Sequence, residues 1–247
     1  MSSKIIIGNW KMNKTYSESK AFLSDFLKLY QENNLQKKIS TEFGIANSYT
    51  NLSLFQDLKI PNFLSCAQDL SINSKGSFTG EIGAELLSDL NVKYIILGHN
   101  ERRRYHAETC ELVNQKVKIA LRNKITPIIC VGETLSEYNN NLTKQVILSQ
   151  IKKATKDVPL NEVLIAYEPI WATGTGHSAS KEFIIQITKL IKETTHNQSK
   201  VLYGGSVNLS NIKLFSEISD VDGFLVGNAS LDAQQFVEMI KICNENH

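Results

Sequence analysis

A closed (β/α)8 barrel is the fold this chain predicts, and three observations carry the prediction. Eight short β-rich runs recur from end to end, separated by amphipathic segments. Several of the runs are nearly continuous in Ile, Val and Leu, which is how parallel strands covered on both faces read. Polar and glycine-rich signatures follow many different strands, as the loops on one face of a barrel would have them. The rival is an open, doubly wound sheet. It needs a glycine fingerprint after its first strand, and "IIIGNWKMN" is not GxGxxG.

The elements follow in order. The first strand is expected at 4–8. The first helix is expected at 17–30, where Ala21, Phe22, Phe26, Leu27 and Leu29 recur at near-helical spacing between Lys20, Asp25 and Lys28. Strands follow at 42–46, 62–67 and 94–97. Between the last two lies "QDLSINSKGSFTGEIG" (68–83), the longest loop candidate. A loop that long in a compact domain is usually functional. The fifth and sixth strands are expected at 126–131 and 163–167. A helix at 181–196 places Phe183, Ile184, Ile187, Leu190 and Ile191 on one face, with Ser180 as its N-cap. Strands at 201–203 and 223–226 precede a last helix at 232–243, carrying Phe236, Val237, Ile240 and Cys243. No linker, low-complexity tract or composition shift interrupts the series, so residues 1–247 are expected to form one domain.

Composition narrows the function. An apolar content of 42% and a charged content of 21% are those of an ordinary globular protein. A net charge of +2 argues against a nucleic-acid or membrane-surface binder. The run Arg102, Arg103, Arg104 is too short to change that. No apolar run approaches the ~20 residues of a membrane helix, and "MSSKIIIGNWKMN" lacks the apolar stretch of a signal peptide. Cys66, Cys110, Cys130 and Cys243 form no CxxC pair and read as buried free thiols, which suits a cytoplasmic protein. No His, Cys or carboxylate spacing suggests a metal site.

In a barrel every strand's C-terminal end opens onto one face. The polar residues there are Asn9 and Lys11 after the first strand, His99 and Glu101 after the fourth, and Glu168 after the sixth. Gly204, Gly205 and Ser206 follow the seventh strand, and Gly227 and Asn228 the eighth. Taken singly, Lys11 reads as a solvated lysine, His99 as a core histidine and Glu168 as one half of an ion pair. Together, the fold aims them at one cavity. Backbone N–H groups of Gly174, Ser206, Gly227 and Asn228 suit a phosphate. A single carboxylate suits proton abstraction, and a histidine can donate to an oxygen that is becoming an enolate. The residues therefore point to metal-free acid/base chemistry on a small phosphorylated carbonyl compound.

Seven ordered motifs then carry a family likeness. They are "GNWKMN" (8–13), "GSFTGE" (76–81), "LGHNERR" (97–103), "PIICVGE" (127–133), "AYEPIWATGTG" (166–176), "YGGSV" (203–207) and "GFLVGNASL" (223–231). Over essentially its whole length the chain resembles the triosephosphate isomerases. The resemblance implies a TIM barrel, usually homodimeric, that interconverts dihydroxyacetone phosphate and D-glyceraldehyde 3-phosphate without a cofactor. By position, Glu168 matches the general base and His99 the electrophilic imidazole. The family is itself the standard example of a carboxylate base working with a neutral histidine. Asn9 and Lys11 match residues holding the substrate's oxygen and phosphate side, and Glu101 a carboxylate that contacts the lysine or shuttles a proton. Gly174, Ser206, Gly227 and Asn228 match the phosphate donors, and Cys130 a buried structural cysteine near the base. Pro169 and Trp171 read as a stiff hinge for a lid that Gly174 and Gly176 free to close. Thr79 matches the tip of a loop that enters the partner subunit beside its Asn9 and Lys11. Glu81 and Arg102 match a charge pair bracing that contact.

Three positions depart from the family pattern. Asn100 stands where Ser is usual, beside the base. Thr173 stands where the lid usually carries Ile, which with Leu225 forms an apolar clamp over Glu168. Asn228 replaces the second glycine of a "VGG" pair. The rival readings are another phosphate-binding barrel enzyme and an inactive relative kept as a binding protein. The first does not need Asn9, Lys11, His99 and Glu168 together. The second predicts loss of Lys11, His99 or Glu168, and all three are present.

Overall fold

A computed structural model describes residues 3–37, 39–56, 58–172 and 179–245 of the chain. Eight parallel strands close into a barrel in sequence order: β1 (Ile5–Asn9), β2 (Glu42–Asn47), β3 (Phe63–Ala67), β4 (Tyr94–Leu97), β5 (Thr126–Val131), β6 (Leu164–Tyr167), β7 (Lys200–Tyr203) and β8 (Gly223–Val226). The ring closes where β1 pairs with β8, Ile5 opposite Gly223. The expected strands are all present, each within one residue at its ends.

Helices fill the connections: α1 (Tyr16–Glu32), α2 (Ala84–Asp89), α3 (Asn100–Tyr105), α4 (Cys110–Arg122), α5 (Leu135–Asn139), α6 (Thr143–Ala154), α7 (Lys181–Thr194), α8 (Ile212–Ser216) and α9 (Ala233–Glu245). Their starts are written locally. The Thr15 side chain accepts from the Glu18 N–H and the Glu18 carboxylate answers the Thr15 N–H, a reciprocal cap worth about 1 kcal/mol. Ser180 caps α7 by accepting from Phe183 N–H, as its sequence position predicts. The buried face of α7 is Ile184, Ile187, Thr188 and Ile191. Each isoleucine there stabilises the fold by roughly 1.5–3 kcal/mol.

Strand alternation divides the apolar residues into two shells. Ile5, Ile7, Ala46, Cys66, Ile96, Ile128, Cys130, Leu164, Ala166, Leu202 and Leu225 pack together inside the barrel. Their neighbours in sequence, such as Ile6, Ile45, Ile95, Ile129, Ile165, Val201 and Phe224, pack outward with the helices. This parity has a direct consequence for chemistry. Continuing the inward series gives Asn9 at the end of β1, after Ile5 and Ile7, and Glu168 just past β6, after Leu164 and Ala166. The segment 68–83 contains no helix or strand, as its composition suggests. Cys66, Cys130 and Cys243 are buried free thiols, and Cys110 is half-buried.

Candidate active site

A cavity of about 390 Å³ opens at the C-terminal ends of the strands, and its lining includes Asn9, Lys11, His99, Glu168, Leu225 and Gly227. Ser206 and Asn228 line it too. The ends of five strands, β1, β4, β6, β7 and β8, thus contribute to one site.

Glu168 is almost fully buried. Its room comes from the two flanking strands. Cys130 pairs with Ala166 and Tyr167 with Tyr203, so Gly132 and Gly204 continue the register on either side of Glu168. A Cβ on Gly132 would lie 1.9 Å from the Glu168 carbonyl oxygen, and one on Gly204 would lie 2.9 Å from Glu168 Cγ. Inward positions at this level are therefore glycine, carboxylate, glycine. The carboxylate faces His99 Nε2 at 3.2 Å through Oε1, and Oε2 accepts from Asn100 Nδ2 at 3.3 Å.

His99 precedes α3 and is also buried. Its Nδ1 accepts from the Glu101 N–H at 3.3 Å, so the proton of a neutral ring sits on Nε2 and points at Glu168. Burial opposes charge on this imidazole, while the Glu168 carboxylate favours it, and the balance lies above the ordinary imidazole value. For Glu168, burial pushes the carboxyl up. His99, Asn100 and Lys11 outweigh it and hold the group below the usual carboxylate range. The signs follow. The raised His99 pKa adds stability below the ordinary imidazole value, and this fades as pH rises through the raised one. The depressed Glu168 pKa adds stability above the ordinary carboxylate value, and this fades as pH falls through the lowered one. The pair therefore stabilises the substrate-free site between those limits. In Glu168→Gln only burial and the weaker charges remain, so His99 should titrate lower than in the wild type. A ring ¹⁵N NMR titration that found no downward shift would show that the carboxylate is not what holds His99 up.

Lys11 lies in the left-handed backbone region at φ 54°. A non-glycine residue held there costs of order 1 kcal/mol or more. Two neighbours hold it: Asn9 Oδ1 accepts from its N–H at 3.1 Å, and Gln68 Nε2 donates to its carbonyl at 2.8 Å. The side chain reaches the cavity and meets Glu101 at 2.7 Å. Nothing but the family likeness suggests that Lys11–Glu101 contact in the sequence.

The residues expected to form a hinge follow Glu168 directly in the chain. Residues Ile170–Ala172 form a single 3₁₀ turn, with Ala172 N–H donating to the Pro169 carbonyl. Trp171 Nε1 donates to Glu133 at 2.8 Å. Glu133 is a second buried carboxylate and also accepts from the Tyr167 hydroxyl. The Ser206 hydroxyl donates to the Ala172 carbonyl at 2.7 Å, so the side chain of this expected phosphate ligand ties down the 170–172 turn. Thr173, Gly174 and Gly176 lie outside the described residues; of the expected clamp, Leu225 is described and lines the cavity.

The residues assigned to the long loop lie apart from the cavity. Thr79 and Glu81 are exposed. Within the chain Arg102 pairs with Asp69 at 2.8 Å and with Glu108 at 2.8 Å, and Lys116 bridges the same two carboxylates. Among the described residues no ion pair joins Arg102 to Glu81. Among the described residues no three His, Cys, Asp or Glu side chains converge as metal ligands, and no helix is long and apolar enough to cross a membrane.

Sequence reasoning passed over Gln68 and Glu133. Glu133 had a readable signal: like Glu168, it closes an apolar strand run with a lone carboxylate. Gln68 had none, because a glutamine opening a long loop has many equivalent uses.

Known proteins settle the family. The family model for triosephosphate isomerase matches residues 4–243. The chain belongs to the triosephosphate isomerase family. The triosephosphate isomerase of Mycoplasmopsis pulmonis (strain UAB CTIP) is 47% identical over 242 residues, covering 97% of this chain and 98% of that protein. That of Mycoplasma mobile (strain ATCC 43663 / 163K / NCTC 11711) is 45% identical, covering 98% of this chain and 100% of its own length. That of Endomicrobium trichonymphae is 40% identical, with 98% and 99% covered. The triosephosphate isomerase likeness thus spans all the strands that build the cavity.

Proposed function

We propose that this chain interconverts dihydroxyacetone phosphate and D-glyceraldehyde 3-phosphate in glycolysis and gluconeogenesis, with Glu168 as the base and His99 as the electrophile. One observation carries the reading: a buried carboxylate and an Nε2–H imidazole face each other 3.2 Å apart at the wall of a cavity lined by Lys11. A substrate carbonyl entering there takes over the His99 hydrogen bond. Glu168, released from it, removes a proton from the hydroxymethyl carbon, and the electron pair moves onto the carbonyl oxygen. His99 and Lys11 stabilise that enediolate oxygen, with Asn9 ordering Lys11. His99 gives its Nε2 proton to that oxygen and takes the hydroxyl proton of the first carbon in return, and Glu168 then delivers the carbon-bound proton to the neighbouring carbon as the first carbon becomes the new carbonyl. The electron count closes without a redox partner, so the steps call for no cofactor. Glu101 anchors Lys11 Nζ.

The phosphate is assigned to backbone N–H groups of Gly174, Ser206, Gly227 and Asn228. Gly227 and Asn228 support this by opening a 3₁₀ turn at the cavity rim. Pro169, Trp171, Thr173 and Leu225 form the hinge and cover of a lid. Excluding water would raise the basicity of Glu168, which binding draws away from the partners that now hold it low.

The active form is assigned as a homodimer in which the tip at Thr79 enters a second copy, with Glu81 and Arg102 bracing the contact. Met12, Tyr49, Ile72, Phe78 and Tyr105, in the segments after β1 to β4, are all exposed in the single chain. Large apolar groups so placed suit a covered face. Residues 1–247 are read as one barrel domain, and four free cysteines suit a cytoplasmic setting.

The test is a coupled assay with D-glyceraldehyde 3-phosphate, with chelator present and nothing else added. Turnover that saturates with substrate is the expected result. A folded, dimeric and inactive protein would overturn the reading in favour of a binding role.

A further inference from the structure

Trp171 is held from two sides by rings that the functional reading leaves unused. Tyr138, on α5, lies 4.4 Å from Trp171 between ring centroids, with planes tilted by 31°. Phe183, on α7, meets Trp171 at 5.9 Å and Tyr138 at 5.4 Å, both edge-on. The three rings close a triangle. The indole N–H is fixed separately, by its bond to Glu133. Both outer rings stand on capped helices: a Thr134–Glu137 capping box opens α5, and Ser180 opens α7. Trp171 lies three residues after Glu168, which is parked against Asn100 and His99. The rings therefore hold the 169–172 turn in the arrangement that goes with a parked carboxylate.

We infer that Tyr138 and Phe183 are positioning residues that stabilise the substrate-free placement of Trp171 and so oppose the repositioning of Glu168 on binding. This rests on the proposed function, through its hinge at Pro169 and Trp171. The indole cannot shift with the turn and keep both rings and the Glu133 bond. A contact made in only one of two states biases the equilibrium toward that state and weakens ligands of the other. Tyr138 is 36% exposed, and with Phe183 it lines a groove of about 740 Å³ between α6 and α7. Truncating it opens that groove further and leaves no sealed core cavity.

The test uses the full chain and phosphoglycolate, whose carboxylate imitates the enediolate. By calorimetry, Tyr138→Ala should bind phosphoglycolate about three- to tenfold more tightly than wild type, the range expected for losing one aromatic contact. In the assay its KM should fall while kcat stays level or drops. Tyr138→Phe keeps the ring and should restore wild-type values, and Phe183→Leu should move in the same direction as Tyr138→Ala. Unchanged or weaker phosphoglycolate binding in Tyr138→Ala would overturn the inference and leave the rings a packing role. Wild-type protein that failed to bind phosphoglycolate would instead overturn the isomerase reading beneath it.

Discussion

Glu168→Gln lowers kcat by about 10²- to 10⁴-fold, the span that a positioned general base contributes. The amide keeps the shape and the burial but has no electron pair basic enough to take a carbon-bound proton. Glu168→Asp is the sharper variant. It keeps the charge and withdraws it by one methylene, and a misplacement near 1 Å costs about 10²-fold. Gly132 and Gly204 are fitted around the glutamate as it stands, so the strand has no means of advancing the shorter side chain. The coupled assay measures both. Activity in Glu168→Asp within threefold of wild type would mean that the reacting carbon does not depend on this carboxylate's position. Full activity in Glu168→Gln would remove Glu168 as the base altogether.

Gly132→Ala should damage stability and activity together. Its Cβ would sit 1.9 Å from the Glu168 carbonyl oxygen, well inside van der Waals contact, and that oxygen belongs to backbone. Relief requires β5 and the β6 end to part. The Glu168 N–H bond to the Val131 carbonyl, at 2.8 Å, strains in the same movement. Overpacking of this kind costs about 1–3 kcal/mol. In a chain of this size that lowers Tm by about 5 °C. The catalytic loss should exceed the loss of folded protein, because the displaced backbone carries the base itself. Thermal unfolding read beside kcat on the folded fraction separates the two effects. An unchanged Tm with unchanged kcat would show that the strands are free to part here, and that the fit around Glu168 is loose.

Much of this site is legible in the amino-acid sequence. The strand runs are short and apolar, and their parity alone turns Asn9 and Glu168 inward. Ser180 as a cap, the amphipathic faces of α1, α7 and α9, and the irregular 68–83 segment follow from local chemistry. Glu133 was legible in principle, since it ends a buried strand with a charge just as Glu168 does. Other features depend on partners far apart in sequence. The strained backbone of Lys11 is held in part by Gln68, 57 residues away. Arg102 is engaged by Asp69 and Glu108, whose meeting depends on how the loop after β3 folds back over α4.

The linear chain determined by itself the number and order of strands, the face on which their ends gather, and which residue types gather there. Those are matters of period and composition, and both are local. Only the tertiary structure decided that Gly132 and Gly204 flank Glu168 at one level. Only it paired Glu168 with His99 and Asn100, and set Tyr138 and Phe183 around Trp171. Such contacts depend on register between strands and on helix placement around the barrel. Both are fixed when the ring closes and every layer packs at once, a condition no single segment carries.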